Sequence, residues 1–532
     1  MSFFKRYFFP TLLILLLISC TKTDNPFKGS WIGTAETKPF PELLYLYNDS
    51  SLLVKMFYSG IELHQASNYS IDGNQIKFEV NQPEFRGEFE GKLEQNIIKG
   101  KLKSGDNIFD CNFVNIQPEG PEIVSQFSGF YQLGAEHIIQ FTPYALDFSL
   151  TPLSVTDFKT GKKRIAFPQG NNSYIAGERM LSPYPTDFAV SFEKGSGDTL
   201  KVQFTSDGKT IEGKRLADLD KIIEFSAQND DISLKANLNL PASEGPFPLV
   251  VIVHGAGNQS RSNYTLEDFA ALLPYYGIAT LIYDKRGCGE SEGDLQSADF
   301  ETLGKDVEAL IKAATEYTEI DKNKIGLMGI DQAGYLMPII ANENKDIQFI
   351  VGISTPILGM QEQELHACAM RMESDGFAES DINAALEYQK TMFAYLGGKI
   401  DSVQFQNASD EMAKEAWSDY VTSFDKKEWI NWWRKNYHFS PLEPLSKINI
   451  PTFMSYGGQD QLTNPEENLA ELSKILSGEE HQHKIYPKAN HFMYIAGNRG
   501  DFQLTEIKGY PEGVFNEINE WIAEKFGLIG SE

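Results

Sequence analysis

The segment Gly329-Ile330-Asp331-Gln332-Ala333-Gly334 follows an apolar run and opens a helical pattern near Gln332. It therefore reads as a sharp turn between a buried strand and a helix. Small residues suit such a turn, because backbone packs closely on backbone there. In the strand–turn–helix pattern G-x-S-x-G the central serine is displayed as a nucleophile. Here the register gives Gly329-x-Asp331-x-Ala333, and the second glycine is shifted by one to Gly334. The attacking position thus holds Asp331. A carboxylate with a reference pKa of about 3.9 needs no base to ionise at neutral pH, and a helix start favours its charged form further. Attack on an ester or amide carbonyl would form an anhydride while expelling a far more basic leaving group, which is steeply uphill. Attack on a saturated carbon is feasible, because displacement leaves an alkyl ester that activated water can cleave. Asp331 could also act as a general base for water.

The elements that must position this turn are legible around it. Leu249–Val253, Ala279–Tyr283, Lys324–Met328, Phe349–Ile353 and Thr452–Tyr456 are continuous apolar runs, as strands buried on both faces require. Helical patterns lie between them, as with Asp306, Val307, Ala309, Leu310, Ala313 and Ala314 within Glu301–Tyr317. Strand alternating with helix predicts an α/β domain with a parallel sheet, whose ligands bind at the carboxyl ends of the strands. Between Ser354 and Pro451 the alternation stops, and this insertion reads as helical. Ser380 is expected to cap a helix reaching about Leu396, with another from about Glu411 to Phe424. Four of the six tryptophans, Trp417, Trp429, Trp432 and Trp433, fall inside it. A helical lid over residues 356–447 is the reading; the aromatics either face a substrate or pack the lid to its domain.

From about residue 222 to 532 the chain resembles the α/β-hydrolase superfamily, nearest its secreted esterase and prolyl-oligopeptidase-like branch. The resemblance rests on the elbow and two further motifs, in order and each after a strand. Val251-Ile-Val-His254-Gly255-Ala256-Gly257 resembles the H-G oxyanion loop, and Tyr283-Asp284-Lys285-Arg286-Gly287-Cys288-Gly289-Glu290-Ser291 the D-x-R-G-x-G-x-S turn. It implies a catalytic set of Asp331, Asp460 in Gly457-Gly458-Gln459-Asp460, and His491 in Lys488-Ala489-Asn490-His491. The oxyanion donors would be the backbone N–H groups of Gln332 and of Gly255 or Ala256. His254 is expected to orient backbone, and neither Ser354 nor Ser291 lies on the elbow. Haloalkane dehalogenases and epoxide hydrolases of this superfamily also carry aspartate at the elbow. The dehalogenases usually follow it with tryptophan, where this chain has Gln332. Two functions stand open on these residues: hydrolysis of a small-molecule, ester-like substrate, or through Asp331 as nucleophile or base; and a catalytically inactive fold that binds a ligand. The β-rich domains as a glycan- or partner-binding module are a third. No phosphate-binding glycine loop and no metal-spaced Cys/His cluster is present in the sequence, so no cofactor and no metal are expected.

The first half has a different texture. Short alternating runs such as Val54–Tyr58 and Ile76–Val80, with turns such as Asp72-Gly73-Asn74, predict two antiparallel β-rich domains, 27–118 and 122–220. Phe27-Lys28-Gly29-Ser30-Trp31 is echoed by Phe127-Ser128-Gly129-Phe130-Tyr131, and Ile98-Lys99-Gly100-Lys101 by Ile211-Glu212-Gly213-Lys214, which suggests a repeat. At the start, Lys5 and Arg6 precede the apolar run Leu12–Ile18, and Leu17-Ile18-Ser19-Cys20 resembles the lipobox of bacterial lipoproteins. The expectation is a signal peptide over 1–20, lipid on Cys20, a tether over 21–26, and residence in a bacterial cell envelope. The 47 basic and 74 acidic residues leave a formal net charge of −27, which argues against nucleic acid as a partner. Cys111, Cys288 and Cys368 are too widely spaced for a disulfide framework, though one bridge is open to them.

Overall fold

The computed structural model describes residues 25–38, 41–134, 137–146, 150–195, 200–216, 220–422, 427–496 and 504–529. The expected signal segment, Cys20 and the tether up to residue 24 lie outside the described residues.

The C-terminal domain is built on eight strands: β1 (Asp220–Asn229), β2 (Ile232–Pro241), β3 (Phe247–Val253), β4 (Ala279–Tyr283), β5 (Ile320–Ile330), β6 (Ile347–Ile353), β7 (Thr452–Gly457) and β8 (His481–Tyr486). Their order across the sheet is β1-β2-β4-β3-β5-β6-β7-β8. β1 and β2 pair antiparallel, as do β2 and β4, and every pairing from β4 through β8 is parallel. All residues of β3, β4 and β7 are buried, which is why those runs carry no alternation. Strand order reverses between β3 and its neighbours β4 and β5, which opens a crevice at their carboxyl ends.

Helices cover both faces. Helix α1 (Phe300–Ala314) starts at Asp299, whose side chain accepts from the Thr302 N–H, and buries Phe300, Leu303, Val307, Leu310 and Ala314 at helical spacing. Helix α2 (Ala333–Glu343) follows β5 directly. The opposite face packs Phe349, Phe453 and Met328 against Val514, Phe515 and Trp521 of the C-terminal helix Val514–Lys525.

Between β6 and β7 lie helices α3 (Met360–Ser374), α4 (Glu379–Leu396), α5 (Ser402–Met412) and α6 (Lys427–Asn436). Two details differ from the sequence reading. Ala378 is the cap of α4, and Ser380 lies inside the helix. The next helix ends at Met412 rather than beginning at Glu411. Its start is Asp401, whose carboxylate accepts from the Val403 and Gln404 N–H groups while Gln404 reaches back, a capping box that outweighs the apolar pattern downstream.

Upstream are two β-rich bodies. Nine antiparallel strands run from Gly29–Ala35 to Asn107–Ile116, with the first strand pairing the last. Eight more, Gly129–Leu133 to Lys209–Arg215, close into a barrel. The first echo occupies the same place in each. The Trp31 Nε1–H donates to the Phe27 carbonyl at 2.9 Å, and the Tyr131 hydroxyl donates to the Phe127 carbonyl at 3.1 Å. Gly29 and Gly129 both take positive φ, 113° and 131°, to admit that bend. The second echo does not correspond. Gly213 lies on the strand that closes the barrel against the first strand, whereas Gly100 lies one strand further in, on Ile97–Ser104. Cys111, Cys288 and Cys368 are buried, free thiols, so the bridge left open by the sequence is not formed.

The barrel is bonded to the C-terminal domain. Asp268 accepts hydrogen bonds from Thr156, Lys163 and Tyr510, and Arg164 donates to the Lys508 carbonyl at 2.6 Å. Beside them Phe158 of the barrel packs edge-on against Phe515.

Candidate active site

Asp331 stands at the tip of the β5–α2 turn with φ +53°, a left-handed conformation that non-glycine residues hold only under strong local constraint. The constraint is visible in its neighbours. A Cβ on Gly329 would lie 2.4 Å from the Ala333 Cβ and 3.0 Å from the Val253 carbonyl. One on Gly334 would meet the Thr355 Cβ at 2.8 Å and the Pro356 carbonyl at 2.9 Å. The displaced glycine therefore serves the packing of α2 on the segment after β6, and alanine fits at 333 because residue 329 has no side chain.

The acid and the imidazole come from adjacent loops. Asp460 follows β7, and one carboxylate oxygen accepts from the Leu462 and Thr463 N–H groups, each at 2.8 Å. The other accepts from His491 Nδ1 at 2.9 Å. That bond fixes the ring so that Nε2 faces Asp331, 3.9 Å from Oδ1. The His491 side chain is 2% exposed, and its Nε2 has no hydrogen-bond partner among the described residues. Burial opposes a charge on this ring, but the carboxylates of Asp460 and Asp331 outweigh burial and raise its pKa above 6.5. At 3.9 Å the Nε2–Oδ1 gap is too long for a direct hydrogen bond.

The second carboxylate oxygen of Asp331 is committed. Oδ2 accepts the Ala256 N–H at 2.9 Å. Of the backbone groups expected to stabilise an oxyanion, Ala256 thus already holds the carboxylate. Gly255 contributes its carbonyl to Lys285, and Gln332 caps α2 with its side chain turned to the same lysine. His254 is fully buried, and burial holds its pKa down at about 4; the neutral ring donates from Nε2 to the Tyr283 carbonyl at 2.5 Å. Its part is to tie two strand ends together. Ser291 donates to the Asp284 carbonyl and accepts from the Lys235 N–H, and Ser354 is buried with no partner for its hydroxyl among the described residues.

In front of Asp331 lies a cavity of about 290 Å³. Its walls include Lys285, Gln332 and Tyr335 from the domain, and Met360, Glu364, Trp432 and Trp433 from the helical insertion. Glu364 is pushed up to about 6 by burial, which Arg371 partly offsets and the charge of Asp331 reinforces. The Tyr335 hydroxyl is buried with no partner among the described residues.

A family model described as serine aminopeptidase, S33, matches residues 244–495. That span contains the elbow, both strand-end loops, Asp460 and His491. The C-terminal domain has the α/β-hydrolase fold. Among curated relatives of the chain, the quorum-quenching protein AidA of Acinetobacter baumannii is 31% identical over 140 residues, covering 26% of this chain and 44% of that protein. The chain therefore spans under half the length of that relative. Esterase EstD of Thermotoga maritima is 24% identical over 310 residues, covering 55% of this chain and 66% of that protein. Among solved structures, Est1E from Butyrivibrio proteoclasticus is 17% identical with a TM-score of 0.37, over 57% of this chain and 99% of that one.

Three side chains of this α/β-hydrolase-fold domain line the site without having been singled out from the sequence: Lys285, Tyr335 and Glu364. Lys285 carried a signal, since a lysine two residues beyond a buried strand end, inside a tight turn, has little route to solvent. Tyr335 sits one helical turn past Asp331. Glu364 had none, because its role depends on how the insertion folds back.

Proposed function

We propose that this chain is a hydrolase of esterase-like ancestry in which Asp331 attacks a saturated carbon of a small substrate, such as an alkyl halide or an epoxide. The observation that carries this reading is the division of labour in the Asp331 carboxylate. Oδ2 rests on the Ala256 N–H at 2.9 Å, while Oδ1 faces the imidazole at 3.9 Å. Attack forms a bond from an Asp331 oxygen to carbon and breaks the carbon–leaving-group bond, whose electron pair departs with the leaving group. The unpartnered Tyr335 hydroxyl is the donor available to that developing anion. In the resulting ester, the carbonyl oxygen sits on the Ala256 N–H and is polarised for attack. Water that gives its proton to His491 Nε2 then adds to this carbonyl, and Asp460 holds the imidazolium that forms. Collapse releases the alcohol, with an oxygen from Asp331 and the proton returned by His491 Nε2, and restores the carboxylate with an oxygen from water, whose remaining proton passes to solvent.

The helices between β6 and β7 act as a lid in this scheme, since Met360, Glu364, Trp432 and Trp433 close the cavity over Asp331. Tethering through a lipid on Cys20 would hold the domain at a membrane surface of a bacterial envelope, with the small-molecule substrate and that membrane as its partners. Loss of membrane association in Cys20→Ser would support the tether; unchanged association would reject it.

The carboxylate on the Ala256 N–H also favours a second reading, a non-catalytic fold that binds a ligand, because an acyl oxyanion would be repelled there. A single turnover in heavy-oxygen water decides between them. With protein in excess over an alkyl halide or epoxide, Asp331 is expected to acquire the heavy isotope while the product does not. Label in the product instead would mean direct attack by water, and no product from either substrate class would favour the binding reading.

A further inference from the structure

We propose that Lys285 is a positioning residue that aims and polarises the Ala256 N–H by gripping the same peptide unit from behind. The proposal rests on the reading of Asp331 as nucleophile for its catalytic meaning, although its geometry stands alone. Lys285 Nζ donates to the Gly255 carbonyl at 2.8 Å, the Gly257 carbonyl at 3.0 Å and Gln332 Oε1 at 3.1 Å. The residue is 3% exposed, so these three acceptors satisfy an ammonium that burial separates from solvent.

The first of these bonds matters most. The Gly255 carbonyl and the Ala256 N–H belong to one peptide plane, and in a trans peptide they point in opposite directions. A cation fixed on the carbonyl side therefore directs the N–H toward Asp331 Oδ2, where it is found at 2.9 Å. It also draws electron density toward the carbonyl oxygen and strengthens the N–H as a donor. The bond to Gly257 pins the next turn of the same loop, and Gln259 braces it again by donating to the Ala256 carbonyl at 3.1 Å. The third bond ties this loop to the residue that caps α2, so the donor and the nucleophile are fixed relative to one another.

The grip needs three N–H bonds, and a neutral amine has two. Burial draws the Lys285 ammonium down to about 8. The other ionisable groups around it are Asp331, Cys288, Asp284 and His254; the Cys288 thiol is raised and His254 is already neutral. Above about pH 8 the clamp therefore loses a donor, and the Ala256 N–H should slacken before the fold does.

The test reads the Ala256 amide directly. The chain has two Gly–Ala pairs, 134–135 and 255–256, so carbonyl-labelled glycine with amide-labelled alanine gives two correlated signals, assigned with Ala135→Ser. The expected result is an Ala256 signal that titrates near pH 8 and stays flat in Lys285→Met. The step should survive in His491→Gln, which separates it from the imidazole. In turnover, Lys285→Met should slow hydrolysis of the alkyl–enzyme ester on the order of 100-fold with KM little changed, and Lys285→Arg should recover part of it. An Ala256 signal insensitive to pH in the natural protein overturns the clamp, even if Lys285→Met fails to fold. A titrating signal without any turnover supports the clamp and removes the nucleophile reading instead.

Discussion

Asp331 offers a carboxylate where a hydroxyl is expected, and one of its oxygens is already bonded to the Ala256 N–H, so these two facts set what substitution at this position should do. Asp331→Ser frees the Ala256 N–H and places a hydroxyl beside an imidazole that Asp460 already orients. The serine variant is expected to hydrolyse p-nitrophenyl esters that the natural protein leaves intact. If it is folded and equally inert, the loops have drifted from an acyl-transfer geometry and the esterase ancestry is the weaker for it. The imidazole supplies a second prediction. Its pKa is raised despite burial because Asp460 and Asp331 face it. The charged ring therefore contributes stability that is fully present below its unfolded value of about 6.5 and is lost as pH rises through the higher folded value. Base catalysis has the opposite sense, so turnover should fall as pH drops through that same folded value. Titration of the His491 ring by NMR should show a midpoint above 6.5, and Asp331→Asn should lower it. A midpoint unmoved by that substitution would mean the 3.9 Å gap carries no coupling.

At the level of elements, the parallel sheet was legible because strands buried on both faces leave continuous apolar runs, and the elbow because glycine and alanine must stand where β5 meets α2. Gly329 illustrates the second point. Any side chain there meets the Ala333 Cβ and the Val253 carbonyl, so Gly329→Val should destabilise the fold by about 1–3 kcal/mol, read as a lowered midpoint in urea. The insertion was less legible. Its helices were expected from composition, but the capping box at Asp401 moved one of them upstream, and nothing local announces that Glu364 will face Asp331. Trp432 and Trp433 separate the two roles left open for the lid aromatics. Trp433 is buried beside Phe393, and its loss should cost about 3–5 kcal/mol. Both rings line the cavity, but Trp432 is only partly buried and packs edge-on against Phe300. Trp432→Ala should therefore change KM more than stability, and an equal loss of stability in both variants would assign both rings to packing.

In the whole molecule, the barrel is bonded to the α/β-hydrolase-fold domain through a small set of side chains. The contact is polar at its centre: Asp268, in the short helix Glu267–Ala270 after β3, accepts from Thr156 and Lys163 of the barrel and from Tyr510 of its own domain. No part of this junction could be read from the sequence, because residues 156, 268 and 510 meet only once three chain segments have folded. Burial works against the Lys163 ammonium, yet the charge of Asp268 outweighs it and raises the pKa above 10.5. The sign then follows: the pair stabilises fully at every pH below 10.5 at which Asp268 is ionised, and its contribution is lost only as pH rises through the higher folded value. Removing Asp268 leaves the Lys163 ammonium unpaired with only 16% of its side chain exposed, which is the costly case. Asp268→Ala should therefore cost about 3–5 kcal/mol, whereas replacing Asp268 and Lys163 together by apolar residues should cost much less. Calorimetry provides the measurement. If the junction joins the barrel and the hydrolase domain into one cooperative unit, the single transition of the natural protein should split in Asp268→Ala, with the barrel melting apart from the rest. A variant that melts in one undivided transition at the same temperature would show that the apolar contact of Phe158 with Phe515 holds the two bodies together without it.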